Sequence, residues 1–222
     1  MISSVIVALL FLLHNSVLAK PSVIFRLDDV QAWWCEAQVK ATVDNFLQVG
    51  VPVNVGMIGE FLPDSANMVA YLQGLTWNPL VEFVSHSLLH ESYASQTVPW
   101  QVNDLNTANN IFQSVTGVRP KSFIPPFNEY SNNLFEALQQ SGMTIMSAEC
   151  AWHPAGTSEY GTPVYCADGS DVVAPYINEG GIYRLPAGAV LGGTEYWTNY
   201  HAPASFEAAL GWINAQIGKN FM

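Results

Sequence analysis

Two pairs of residues in this chain have the types and spacing that metal-assisted hydrolysis requires. They are Asp28-Asp29, and the histidines of Ser85-His86-Ser87-Leu88-Leu89-His90. Imidazoles four residues apart project from the same side of a helical turn, so both can reach one ion. One carboxylate then completes a facial set with positions left open for water and substrate. Taken alone, adjacent aspartates more often cap a helix or shape a turn, and an isolated HxxxH is more often a hydrogen-bonded pair near a helix start. The weight of the two pairs comes from the elements that precede them.

Each pair follows a short apolar run that reads as a buried strand, over residues 22–27 for the aspartates and 80–84 for the histidines. The intervening chain alternates in kind. Helical spacing is predicted over 36–49, stopped by Gly50, then a strand over 51–55 and a helix over 65–72 capped by Asp64 or Ser65. A helix over 100–116 closed by Gly117, a strand over 121–124, a helix over 132–141 closed by Gly142 and a strand over 143–146 continue the series. Residues 155–171 read as a long loop, followed by short strands over 181–185 and 195–200 and a last helix over 204–217. Serial strand-helix units specify parallel strands covered by helices. Reactive residues recurring at several strand ends favour an α/β fold of the distorted (β/α) barrel type, with about seven parallel strands in a single domain.

Composition narrows the partners. Half of the 222 residues are hydrophobic and only 11% are charged, which excludes a disordered chain and implies one packed domain. The net charge of −11 excludes a polyanionic partner such as nucleic acid, because nothing could neutralise a row of phosphates. Neutral or cationic ligands fit, and seven Trp, nine Tyr and eleven Phe offer flat faces for sugar rings, although aromatics more often fill cores. An apolar run over 5–13 followed by Val17-Leu18-Ala19 reads as a signal peptide, residues 1–19, cleaved after Ala19, leaving a catalytic domain over 20–222. Secretion and no stable membrane span in the mature chain are expected. In that oxidising setting Cys35, Cys150 and Cys166 allow one disulfide, with Cys150–Cys166 preferred among three pairings.

At these residues the chain resembles the polysaccharide deacetylase family, which includes chitin and peptidoglycan deacetylases. The family's Thr-Phe-Asp-Asp motif is similar to Arg26-Leu27-Asp28-Asp29, and its His-Ser/Thr-x-x-His motif is intact as His86-Ser87-Leu88-Leu89-His90. The resemblance implies that Asp28 is the general base and that Asp29, His86 and His90 bind a divalent metal, usually zinc. The third motif, Arg-Pro-Pro-Tyr/Phe, is similar to Ile124-Pro125-Pro126-Phe127, with Tyr130-Ser131 leading into a helix. Its arginine, which orients the catalytic aspartate in the family, is missing, and Arg26 or Arg184 is left to substitute. The aspartate-and-tryptophan segment is echoed by Glu149 and Trp152, and the Leu-x-His histidine by His201, with His153 as competitor.

The resemblance thus implies a hydrolase that removes acetyl groups from an acetylated polysaccharide or oligosaccharide such as chitin. Its catalytic residues would be Asp28 and His201, its metal ligands Asp29, His86 and His90, and its substrate contacts Pro126, Phe127 and Trp152. Two rivals share these residues: a carbohydrate-binding protein of weak or no activity, with Trp33, Trp34 and Trp152 stacking on sugar, and a metal-dependent hydrolase of another small amide or ester.

Overall fold

The computed structural model describes residues 24–149, 176–177 and 181–187. Strand and helix alternate along them: β1 (Phe25–Val30), α1 (Glu36–Gln48), β2 (Val53–Met57), α2 (Ala66–Leu75), β3 (Val81–Ser85), α3 (Val98–Thr116), β4 (Ser122–Phe123), α4 (Asn133–Gln140), β5 (Ile145–Glu149), β6 (Tyr176–Ile177) and β7 (Tyr183–Ala187). The predicted signal peptide, the 155–171 loop, the 195–200 strand, the 204–217 helix, Cys150 and Cys166 lie outside the described residues.

The strands form one sheet in the order β1-β2-β3-β4-β5-β7-β6. Six of them are parallel, and β6 runs antiparallel to β7. This corrects the expectation of about seven parallel strands, and the reason is chain length. Only residues 178–182 separate β6 from β7, whereas a parallel pairing needs a crossover of a dozen residues or more. Among the described residues no pairing joins β1 to β6, so over them the sheet is open, a half-barrel.

One row crosses the whole parallel part in register: Val30, Met57, Ser85, Phe123, Met146 and Arg184. All six are buried, the guanidinium of Arg184 lying over the Tyr130 ring, 5.3 Å from its centroid. Arg184 was one of two candidates to replace the missing third-motif arginine.

Helix α3 ties the molecule together. Its buried residues, Gln101, Asp104, Leu105, Ala108, Asn109, Phe112, Val115 and Thr116, recur at the spacing of one helical face. Ala108, Phe112 and Val115 join the core over β1–β3, while Leu105 joins the core over β4 and β5. The helix starts at Val98 rather than residue 100 because Pro99 is tolerated in a first turn, where its missing N–H leaves no bond unmade. It ends at Gly117, whose φ of 77° lets its N–H turn back to the Gln113 carbonyl. Ser65, not Asp64, caps α2, its hydroxyl accepting from the Met68 N–H at 3.2 Å.

Candidate metal centre

Strand β1 does not stop at Leu27 as its apolar run predicts; it carries on through both aspartates to Val30. Leu27 pairs with Val55 and Val30 with Met57, so Asp28 and Asp29 together oppose the single residue Gly56. That is a β-bulge, and Asp29 adopts φ 63° within it. Consecutive side chains of a regular strand point to opposite faces. Here the bulge breaks the alternation, and both carboxylates line one cleft. Gly56 leaves room for the bulge: a Cβ there would lie 3.3 Å from Asp28 Oδ1 and 3.2 Å from Ile124 Cδ1, tighter than most such contacts.

The histidines reach the same place by a different device from the one predicted. Residues 86–90 form no helical turn. His86 extends the β3 ladder, its N–H donating to the Met57 carbonyl at 2.8 Å, and Ser87 and His90 then adopt φ 74° and 56°. These left-handed residues curl the loop so that both rings face inward, a result the spacing of four alone does not give. Such backbone needs local bonds to hold it. The Ser87 hydroxyl accepts from the His90 N–H at 2.9 Å, and the Gly59 and Glu60 N–H groups donate to the Ser87 and Leu88 carbonyls.

Asp104, a buried residue of α3 that no motif singles out, holds the loop from below. Its Oδ2 accepts from the Leu88 N–H at 3.0 Å and from the Tyr93 hydroxyl. Burial raises its carboxyl above the ordinary value, although both donors pull it down. Asp104→Ala orphans both donors at about 1–3 kcal/mol each, and Asp104→Asn, which keeps an acceptor oxygen, retains more of the stability. Urea unfolding of the two variants measures this, and equal losses in both would remove the acceptor role.

Asp29 Oδ1 lies 3.3 Å from His86 Nε2 and 3.0 Å from His90 Nε2. One ligand atom from each of the three residues falls within 4.8 Å of the others. The His86 Nδ1 sits 2.8 Å from the Ile124 carbonyl, which can only accept, so Nδ1 carries a proton, and a ring without a second proton turns its Nε2 lone pair to the trio. Asp29 Oδ1 is buried and has no hydrogen bond of acceptable direction. Electron-rich atoms this close, without a directed hydrogen bond between them, suit a shared cation, and one carboxylate with two imidazoles suits a divalent ion such as zinc. Burial would raise the Asp29 carboxyl, but where the His86 and His90 rings carry a proton toward it, their hydrogen bonds and charge outweigh burial and hold the group well below the usual carboxylate range.

Asp28 stands beside this trio in other company. Its Oδ2 receives Arg26 Nε at 3.1 Å and Nη2 at 2.9 Å. The same guanidinium donates through Nη1 to the Ser147 carbonyl and hydroxyl, and through Nη2 to Asn128 Oδ1, all at 3.1 Å. The first of the two candidate arginines therefore meets Asp28 from β1, and neither Ser147 nor Asn128 was picked out by sequence.

The cleft of about 130 Å³ is lined by Arg26, Asp28, Asp29, His86, His90, Pro125, Phe127 and Asn128. Phe127, at φ 57°, leaves its ring about half exposed, edge-on to His90 with centroids 4.6 Å apart. Pro125 borders the cleft, whereas Pro126 is buried in the turn. Trp152, His153 and His201 lie outside the described residues. A wider, open depression between Trp33, Glu36 and residues 64–67 contains none of the converging groups.

The polysaccharide deacetylase family model matches residues 18–146, more than half of the 222 residues. No curated protein matches the chain. Among solved structures, one from Mycobacterium smegmatis assigned as a polysaccharide deacetylase is 16% identical, with a TM-score of 0.57 over 83% of this chain and 59% of that one. A mutant of a Bacillus anthracis CE4 family pseudoenzyme, described as having restored enzymatic activity, is 14% identical, with a TM-score of 0.50 over 58% of this chain and 44% of that one. At such identities the likeness concerns the fold alone. The chain spans 57–62% of the length of the first three solved structures it matches. The family match contains both aspartates, both histidines and the Pro-Pro turn, and on that coverage the chain belongs to the polysaccharide deacetylase family, with Ile124 where the third motif carries arginine.

Proposed function

We propose that the chain is a secreted, metal-dependent hydrolase that removes acetyl groups from an N-acetylated or O-acetylated polysaccharide such as chitin. The observation that carries this reading is the contact of Asp29 Oδ1 with both imidazole Nε2 atoms, beside an Asp28 that a guanidinium engages instead. Asp29, His86 and His90 would hold a divalent ion, zinc by the chemistry of the donors. Bound there, it would polarise an acyl carbonyl and acidify water.

The protein's own groups divide the remaining work. Asp28 accepts the proton of the attacking water. The cleft of about 130 Å³ formed by the described residues is below the roughly 300–1,000 Å³ of pockets that enclose a whole ligand, which suits an acetyl group better than a whole sugar. Phe127, with Pro126 behind it and Trp152, is assigned to the sugar, and the Phe127 N–H to the developing oxyanion. Water adds to the acetyl carbon, the carbon–nitrogen bond breaks, and His201 supplies the proton that the leaving amine takes up. For an O-acetyl sugar the leaving group is an alcohol. The apolar run over 5–13 supports export after cleavage behind Ala19, and among the described residues no helix is long and apolar enough to cross a membrane.

Ile124 favours a second reading, a carbohydrate-binding protein without turnover, since the arginine expected there is absent. Acetate release separates the two. Purified protein is expected to free acetate from acetylated chito-oligosaccharides or acetylated xylan, to lose this activity on chelation, and to regain it with zinc. Sugar binding with no acetate from any metal-loaded sample would leave the second reading standing.

A further inference from the structure

Two carboxylates, adjacent in sequence and lining the same cleft, present a problem that the metal-dependent reading leaves open. A divalent cation gains from each anionic oxygen it contacts. With His86 and His90 already present, both aspartates binding would give four protein ligands, the closed arrangement of a structural zinc site, whereas hydrolysis needs three ligands and an open position. Something must treat the two carboxylates differently.

We propose that Arg26 makes this distinction: by gripping Asp28 it withholds that carboxylate from the cation, so that of the pair only Asp29 becomes a ligand. The inference rests on the metal-dependent reading above. Side chains two apart on a strand share a face, which puts the guanidinium of Arg26 directly alongside Asp28. It spends two contacts on Asp28 Oδ2, and three more fix it to Ser147 on β5 and to Asn128 in the turn after β4. Four hydrogen bonds and an ion pair thus hold the guanidinium, and they bind it to three separate segments. Asp28 cannot swing toward Asp29 without breaking this set. Its other oxygen, Oδ1, is buried with no hydrogen-bond partner and sits over Gly56. It is an unpartnered acceptor beside the ligand trio but not part of it. Arg26 is accordingly a positioning residue, acting through Asp28.

Cobalt(II) tests this without turnover, because its visible absorption reports the number and kind of ligands. Arg26→Ala is expected to bind cobalt about tenfold more tightly, the lower end of what outer-shell partners contribute to metal affinity, with an altered visible spectrum. Adding Asp28→Ala to it should return both spectrum and affinity to the wild-type values, and Arg26→Lys should fall between. If Arg26→Ala does not fold, the Asn128→Ala/Ser147→Ala pair loosens the far side of the clamp and should shift both readouts in the same direction. Acetate release should fall in each variant that gains affinity. Unchanged or weaker cobalt binding with an unchanged spectrum overturns the inference. A gain that persists in the Arg26→Ala/Asp28→Ala double variant does so too, since bare charge removal would then explain it. Wild-type protein that binds no cobalt overturns the metal reading and this inference with it.

Discussion

Asp28→Asn is expected to lower kcat by about 10²–10⁴-fold, the usual contribution of a positioned general base, while KM and the amount of metal bound stay close to wild type. The split follows from the geometry. Asp28 lies outside the trio whose ligand atoms fall within 4.8 Å of one another, so the substitution leaves all three ligands of the cation in place. Asparagine keeps an oxygen that can accept from Arg26, so the bulge and the guanidinium's bonds to Ser147 and Asn128 can survive. What is lost is a group able to take a proton from water. Steady-state acetate release by the two proteins measures the effect, and a variant within a few-fold of wild type would remove Asp28 from the chemistry.

His86→Ala should have the other large effect, and a different signature. His86 is 3% exposed, and its ring is fixed from behind by the Ile124 carbonyl at 2.8 Å. Removing it takes away one of three ligand atoms, so metal affinity should fall by more than the roughly 10–100-fold typical of outer-shell changes. Turnover should then vanish at ordinary metal concentrations and return in part when excess zinc is supplied. Equilibrium dialysis against zinc gives the affinity directly. Retained stoichiometric zinc in His86→Ala would show that the ion is held elsewhere.

Much of this centre was legible in the sequence because its residues are of rare types at fixed spacings. The pairing of Asp28-Asp29 with His86 and His90, each after an apolar run, brought the four to one cleft on paper as the structure does in space. How they get there was not legible. The apolar run ends at Leu27, directly before the bulge that displays both carboxylates, so nothing in it announces that the strand continues to Val30. Left-handed backbone at Ser87 and His90 has no signature in residues that are neither glycine nor asparagine, and a helical turn was the natural reading of a four-residue spacing.

The supporting groups were hidden for a related reason. Asp104 sits inside a helix face among apolar residues, and only the fold brings it under the histidine loop. Gly56 looks like any strand glycine until the register sets it opposite two residues. Arg26 and Arg184 were indistinguishable as substitutes for the third-motif arginine, because the choice depends on which strand lies beside Asp28. The fold itself followed from alternation, and all four described helices match their predicted positions to within three residues. The two-residue strand β6 escaped because two residues carry no period.

The central claim is that Asp29, His86 and His90 share one divalent ion. Anomalous diffraction at the zinc edge, from crystals of the metal-loaded protein, tests it most directly. A single strong peak bonded to Asp29 Oδ1 and to Nε2 of both histidines, with Asp28 still on Arg26, is the expected result. A peak elsewhere, or none at these residues at full zinc loading, would contradict the account.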